Sequence, residues 1–361
     1  MSSETTIPVE TREIRAPGPG PEQESLRVAY LELLKLTLCD LAGAGTVSIG
    51  RTKSGRPFTR ELAGEQLKLR SAGLDWPLTG LTMIGLSRLD DLQACVESVV
   101  RDDVPGDLIE AGAWRGGAAI LIRATLDSLG AGDRSVWVAD SFAGFPVPDT
   151  EGYPVDSERD LHTIDFMAVP LEEVRAHFAR FGLEEGVRFV PGLFQETLPR
   201  LRGRRWSLVR LDGDTYESTW VALSSLYPGL AAGGYLLVDD YKLIEECRRA
   251  VDDFRREHGI SEPLEEVDWN SVRWRREDEP EAAAPAFEPP AAVNGASRTV
   301  PRQPAERIPT LREIKLESEL RKLRASDGEG AGGRGRTSRL RALAGRGRRA
   351  LARRLRGRAR G

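Results

Sequence analysis

WSLVRLDGDTYESTWVALSSLYPGLAAGGYLLVDDY, residues 206–241, decides how this chain folds. Its two ends, 207–211 and 235–238, are near-continuous apolar runs, the pattern of strands covered on both faces. Between them, residues 217–227 have helical spacing. A strand, a helix and a second strand in this order predict a parallel crossover unit. Both strands stop at acids: Asp212 and Asp214 after the first, Asp239 and Asp240 after the second. In an open α/β sheet the carboxyl ends of the strands face the ligand crevice. Three or four carboxylates converging there would repel, and some would stay protonated. A hard divalent cation, most simply Mg2+, removes that conflict.

The same alternation extends upstream and downstream. Strands are expected at 107–111, 135–139 and 187–190, and helices at 118–129, 172–181 and 245–258. The predicted fold class is α/β: a Rossmann-like, doubly wound, mostly parallel sheet. Residues 26–276 form the expected domain, and 26–106 a helical extension on the acceptor side. Within that extension, 26–41 and 82–100 have helical spacing, the latter starting near Ser87, while 46–74 is polar and shows no clear period. Residues 264–276 read as an antiparallel hairpin around Asn270 that closes the sheet. Residues 1–25 are polar and Pro/Gly-rich and are expected to be disordered. Residues 277–333 read as an Ala/Pro-rich linker with a short charged helix, which should not pack a core.

Composition narrows the classes further. The whole chain carries a formal charge of −4, yet residues 334–361 hold 12 arginines and no acid, so an acidic body carries a basic tail. The three cysteines, Cys39, Cys95 and Cys247, show neither a disulfide framework nor zinc spacing. No apolar leader or membrane-length run occurs, so a cytoplasmic location is expected. The tail interleaves Arg with Leu and Ala, which suits peripheral contact with an anionic membrane. It lacks aromatics to stack on bases, and no specific nucleic-acid partner is expected.

DLIEAGAWRGGAAI, beginning at Asp107, places Glu110, Gly112, Gly116 and Gly117 between a strand and a helix. A glycine turn there lets backbone approach a nucleotide-like ligand. This turn carries neither the G-x-G-x-x-G nor the P-loop pattern, which disfavours a dinucleotide oxidoreductase. An acid before the turn repels phosphate and suits a cationic amine, such as that of S-adenosylmethionine. Asp140 ends the next strand, where an acid can bind ribose hydroxyls. Asp212, Asp239 and Asp240 are the expected metal ligands, and Asp212 or Asp214 is placed to take a proton from an acceptor hydroxyl. The loop 149–170 is long enough to be a lid. Its Asp156, Asp160 and Asp165 could contact sugar hydroxyls, and its His162 could assist as a base.

These stretches, with TMIGLSRLDDLQACVESV, VADSFAGFP, PLEEVRAHFARFGL and CRRAVDDFRREHGI, resemble the TylF-like macrocin O-methyltransferases over about two-thirds of the chain. The resemblance implies an S-adenosylmethionine-dependent, Mg2+-assisted methyltransferase acting on a sugar hydroxyl of a small-molecule glycoside or glycan. It also implies a homo-oligomer such as a dimer. Carried over by position, Glu110, Gly112 and Asp140 fall in the cofactor motifs, with Ser141 and Phe142 beside the adenosine. Asp212, Asp239 and Asp240 fall in the metal motifs, with Asp212 as candidate base. Two other readings remain open: methylation of a catechol or other phenol, and a non-catalytic module tethered through its basic tail.

Overall fold

The structure, a computed structural model, describes residues 21–43, 45–52, 56–158 and 161–278. All of them belong to the first of two compact units, residues 1–305. The expectations for residues 1–20, for the linker beyond residue 278 and for the Arg-rich tail fall outside the described residues.

The N-terminal region holds α1 (Pro21–Leu38), β1 (Thr46–Arg51), β2 (Pro57–Leu62), α2 (Leu67–Ser71), β3 (Trp76–Pro77) and α3 (Gly85–Arg101). The α/β alternation follows as β4 (Asp107–Ala111), α4 (Gly117–Ser128), β5 (Val136–Asp140), α5 (Leu171–Phe181), β6 (Val187–Pro191) and α6 (Phe194–Thr197). It continues through β7 (Trp206–Leu211), α7 (Tyr216–Leu226), β8 (Leu230–Val238) and α8 (Glu245–Glu257), and ends in β9 (Glu265–Glu266) and β10 (Val272–Arg275). The main sheet has seven strands in the order β6-β5-β4-β7-β8-β10-β9. The first five pair in parallel, and β10 and β9 close the edge antiparallel. The strand order reverses between β4 and β7, which puts the topological switch point at their carboxyl ends.

The helices form where apolar side chains recur at the turn of a helix. In α8 the buried residues Cys247, Ala250, Val251 and Phe254 make one stripe, and acids and arginines cover the rest. That stripe packs with Trp206, Leu223 and Trp274 on one face of the sheet. The other face is covered by α4, α3 and α1, through Ile120, Leu92 and Leu34 among others. No helix among the described residues is long and apolar enough to cross a membrane.

Two boundaries differ from expectation. Residues 21–25, expected to be disordered, open α1. Proline leaves no unpaired N–H in a first turn, Glu22 and Glu24 suit the positive end of the helix, and Arg27 ties the turn to Glu97 of α3 at 2.7 Å. The extension is also not purely helical: β1, β2 and β3 form a separate antiparallel sheet in the order β2-β1-β3. Its strands bury little apolar surface beyond Ile49 and Leu62, so the alternation is faint in the sequence. Arg70 of α2 pins this sheet in place. It is 1% exposed, donates to Cys39 O and Val47 O, and pairs with Asp75.

Candidate active site

A cavity of about 730 Å3 opens at the switch point. One wall comes from the turns after β4 and β5, with Gly112, Ala113, Asp140, Ser141 and Phe145. The opposite wall includes Ile49, Phe58 and Trp76 of the small sheet together with Trp269, and Asp212, Asp214, Asp239 and Asp240 also line the cavity. Four residues around this cavity, Phe58, Leu74, Leu243 and Trp269, are large and apolar yet between 38% and 59% exposed.

Gly112 lines the cavity and also has a packing role. Gly112 has φ +96°, and a Cβ there would lie 1.8 Å from the carbonyl oxygen of Asp212. Glycine therefore lets the end of β4 press against the end of β7, which brings the cofactor-type turn next to the acids. Asp140 clips this turn to β5: its Oδ2 accepts from the amides of Ala113 (2.8 Å) and Trp114 (3.2 Å), and its Oδ1 from Phe142 N (2.8 Å). Burial nevertheless pushes its carboxyl above the usual range. Ser141 lines the cavity and donates to Gly144 O at 2.6 Å. Phe142, expected beside the adenosine, turns into the core instead. It is 8% exposed and meets Phe189 edge-on, because its left-handed backbone (φ +52°) carries the ring inward. Phe145, three residues on, supplies the aromatic wall.

Glu110, expected on the cofactor side, lines the cavity. It is 1% exposed and accepts from Ala119 N (3.0 Å) at the start of α4 and from Arg210 Nη1 (2.6 Å). Burial pushes its carboxyl up to about 8, against the pull of Arg210. Arg210 is the centre of the charged network. From near the carboxyl end of β7 it reaches Glu110, Asp212 Oδ2 (2.9 Å) and Asp239 Oδ1 (2.5 Å). Asp239 also accepts from Arg88 of α3, whose Nε pairs with Asp268 at 2.9 Å.

This network engages Asp239, one of the three expected metal ligands, which lines the cavity. Two guanidiniums hold its two oxygens, and the acids that meet are Asp212, Asp214 and Asp240, with ligand atoms within 4.8 Å of one another. Asp214 enters the cluster from a left-handed backbone position (φ +60°) just past the tight turn. Burial and the neighbouring charges of Asp214, Asp212 and Asp239 push Asp240 well above the carboxylate range. Burial and Asp239 raise Asp212 as well. Asp240 is 9% exposed, and its Oδ2 is buried without a hydrogen-bond partner. A buried acceptor with no donor, facing two further carboxylates, fits a hard divalent cation with oxygen ligands.

The described residues of the loop after β5 make contacts on three sides. Asp156 does not face the cavity: it is 3% exposed and accepts from the amides of Tyr216 (2.8 Å) and Glu217 (3.0 Å), capping α7 where that helix leaves the acid turn. Trp114 Nε1 donates to Phe166 O, and Arg51 donates to Thr163 O. Leu161, Ile164 and Met167 line the cavity, while Asp165 and His162 are not among the lining residues, and Asp160 is outside the described residues. Tyr216 stacks on Trp220 and donates to Asp253, which makes it a link between α7 and α8. Sequence reading missed Arg88, Arg210, Asp268 and Asn270. Only Arg210 carries a clear local signal, being a lone charge in a strand that is otherwise apolar.

Comparison with known proteins gives concordant results. The family model described as macrocin-O-methyltransferase (TylF) matches residues 28–276. The 8-demethyl-8-(2,3-dimethoxy-alpha-L-rhamnosyl)-tetracenomycin-C 4'-O-methyltransferase of Streptomyces olivaceus is 46% identical over 70% of this chain and 94% of its own. The mycinamicin III 3''-O-methyltransferase of Micromonospora griseorubida is 41% identical over 68% of this chain and 96% of its own. Among solved structures, that of the O-methyltransferase NovP superposes with a TM-score of 0.63 at 40% identity, covering 70% of this chain and all of that one.

Proposed function

The chain belongs to the macrocin-O-methyltransferase (TylF) family, and from that membership we propose that it transfers the methyl group of S-adenosylmethionine to a sugar hydroxyl of a glycosylated natural product, with a divalent cation, most simply Mg2+, in its acid cluster. The observation that carries this reading is the carboxylate cluster with the unpartnered Asp240 Oδ2, opening into the same cavity as the glycine turn. The relatives named for rhamnosyl-tetracenomycin and mycinamicin support a sugar on a larger aglycone as the acceptor. So does the apolar rim, which suits an aglycone outside while the sugar reaches the acids inside.

Asp212, Asp214 and Asp240 would hold the cation, which supplies Lewis acidity beside the acceptor hydroxyl. Methyl transfer forms a C–O bond and breaks the C–S bond of the sulfonium, leaving a neutral thioether. The hydroxyl proton goes to a carboxylate, and Asp212 suits that role because it stands at the end of β7, next to the glycine turn. Asp140 and Ser141 would line the adenosine side, with Asp140 keeping the turn in shape. Glu110 would act at one remove, by fixing Arg210. The apolar walls exclude water from the reacting atoms.

The test separates cofactor from cation. Titration calorimetry should show micromolar S-adenosylmethionine binding that persists in the presence of chelator. Methyl transfer to a glycoside should fall to background with chelator and return with Mg2+. Full activity in chelator would remove the cation from the reading, and no cofactor binding under either condition would remove the methyl donor.

A further inference from the structure

We propose that the turn of residues 268–271, in the C-terminal hairpin, is the positioning element of the carboxylate cluster, and that Asn270 is the residue that aims Asp240 at the cation. The proposal rests on the reading that Asp240 is a cation ligand. The turn lies between β9 and β10, far in sequence from the acids it touches.

Asn270 is 1% exposed. Its Oδ1 accepts from Leu243 N at 2.8 Å, which fixes the amide orientation: the side-chain nitrogen must point the other way. That nitrogen donates to Asp240 Oδ1 at 3.1 Å. Only one oxygen of Asp240 is thereby satisfied, and Oδ2 is left for the cluster. The backbone of Asn270 takes part as well, since its carbonyl accepts from Lys242 N at 3.0 Å. Residues 240–243 are thus anchored to Asn270 through three separate bonds.

The same turn reaches the other acid of the pair. Asp268 Oδ1 accepts from the amides of Asn270 and Ser271, both at 2.8 Å, so the turn braces itself. Asp268 Oδ2 accepts from Arg88 Nε, and Arg88 donates to Asp239. Trp269, between the two, lies 5.3 Å from the Arg88 guanidinium and donates to Ala72 O at 2.7 Å, while its ring lines the cavity. One turn therefore holds Asp240 through Asn270 and Asp239 through Arg88, and presents an aromatic wall to the acceptor. Partners of this kind set the orientation of ligating carboxylates, and losing one typically costs about 10–100-fold in metal affinity.

The experiment uses the full chain and Mn2+ as the probe, with free Mn2+ read by electron paramagnetic resonance. In Asn270→Ala the Mn2+ dissociation constant should rise about 10-fold or more, while S-adenosylmethionine affinity by calorimetry stays within about twofold of wild type, since residue 270 acts on Asp240 rather than on the glycine turn. In a double-mutant cycle with Asp240→Asn, the two losses of Mn2+ affinity should be strongly non-additive, because Asn270 acts through Asp240. Should Asn270→Ala fail to fold, Asn270→Ser leaves a small polar group at the buried position and is too short to reach Asp240. Unchanged Mn2+ affinity, additive losses, or a parallel loss of cofactor affinity would overturn the proposal. A wild-type chain that binds no Mn2+ would instead overturn the cation reading beneath it.

Discussion

Arg210→Met is expected to abolish methyl transfer and to lower stability by about 3–5 kcal/mol, the range for breaking a buried ion pair from one side. Methionine matches the length of the arginine stem, so the loss is that of the guanidinium with its charge and hydrogen bonds. Without the guanidinium, Glu110, Asp212 and Asp239 face one another in a buried site where, among the described residues, Arg88 on Asp239 is the remaining paired cation. Some of the three must then take up protons, and the turn after β4 loses its tie to β7. Urea unfolding followed by circular dichroism measures the stability, and methyl transfer from S-adenosylmethionine measures the activity. A variant within about 1 kcal/mol of wild type would mean that the network is not what holds the two strand ends together.

Asp212→Asn is expected to lower kcat by about 10^2–10^4-fold, the usual contribution of a positioned general base. The substitution keeps the size of the side chain and leaves the turn after β7 intact, including the Asp212 N to Ala111 O bond of 2.8 Å. Cofactor binding should therefore survive, and the loss should appear in kcat rather than in the affinity for S-adenosylmethionine. Asn at position 212 also removes one charge from the cluster, so a higher Mg2+ requirement should accompany the lower rate. Retention of more than about a tenth of wild-type kcat would reassign the proton to Asp214 or to solvent.

The parallel sheet was readable because its central strands β4, β5 and β7 are buried on both faces and carry their signal locally. The run 206–211 needed no partner to be recognised, and the acids after it were visible as an abrupt end to an apolar stretch. The small sheet β2-β1-β3 was not readable for the opposite reason. Its strands bury few apolar groups, and what holds them is Arg70, a residue whose partners Cys39, Val47 and Asp75 are set by folding. The membership of the acid cluster was only half readable. Sequence places Asp239 and Asp240 side by side, but which of them keeps an oxygen without a hydrogen-bond partner depends on Arg88 and Arg210, which approach Asp239 from α3 and β7. Phe142 and Phe145 illustrate the same limit: one motif contains both rings, and a single left-handed residue decides which of them lines the cavity. The hairpin around Asn270 was expected from its strands, yet nothing local marks residue 270 as a partner of Asp240.

The measurement that tests the account most directly is mass spectrometry of products formed from S-adenosylmethionine, Mg2+ and a rhamnosylated aromatic polyketide, with the corresponding aglycone and a simple catechol as parallel acceptors. The account predicts a product carrying one added methyl group on the sugar fragment, formed only with the glycoside and lost with chelator. A methyl group found on the aglycone or the catechol, or turnover that ignores chelator, would contradict it.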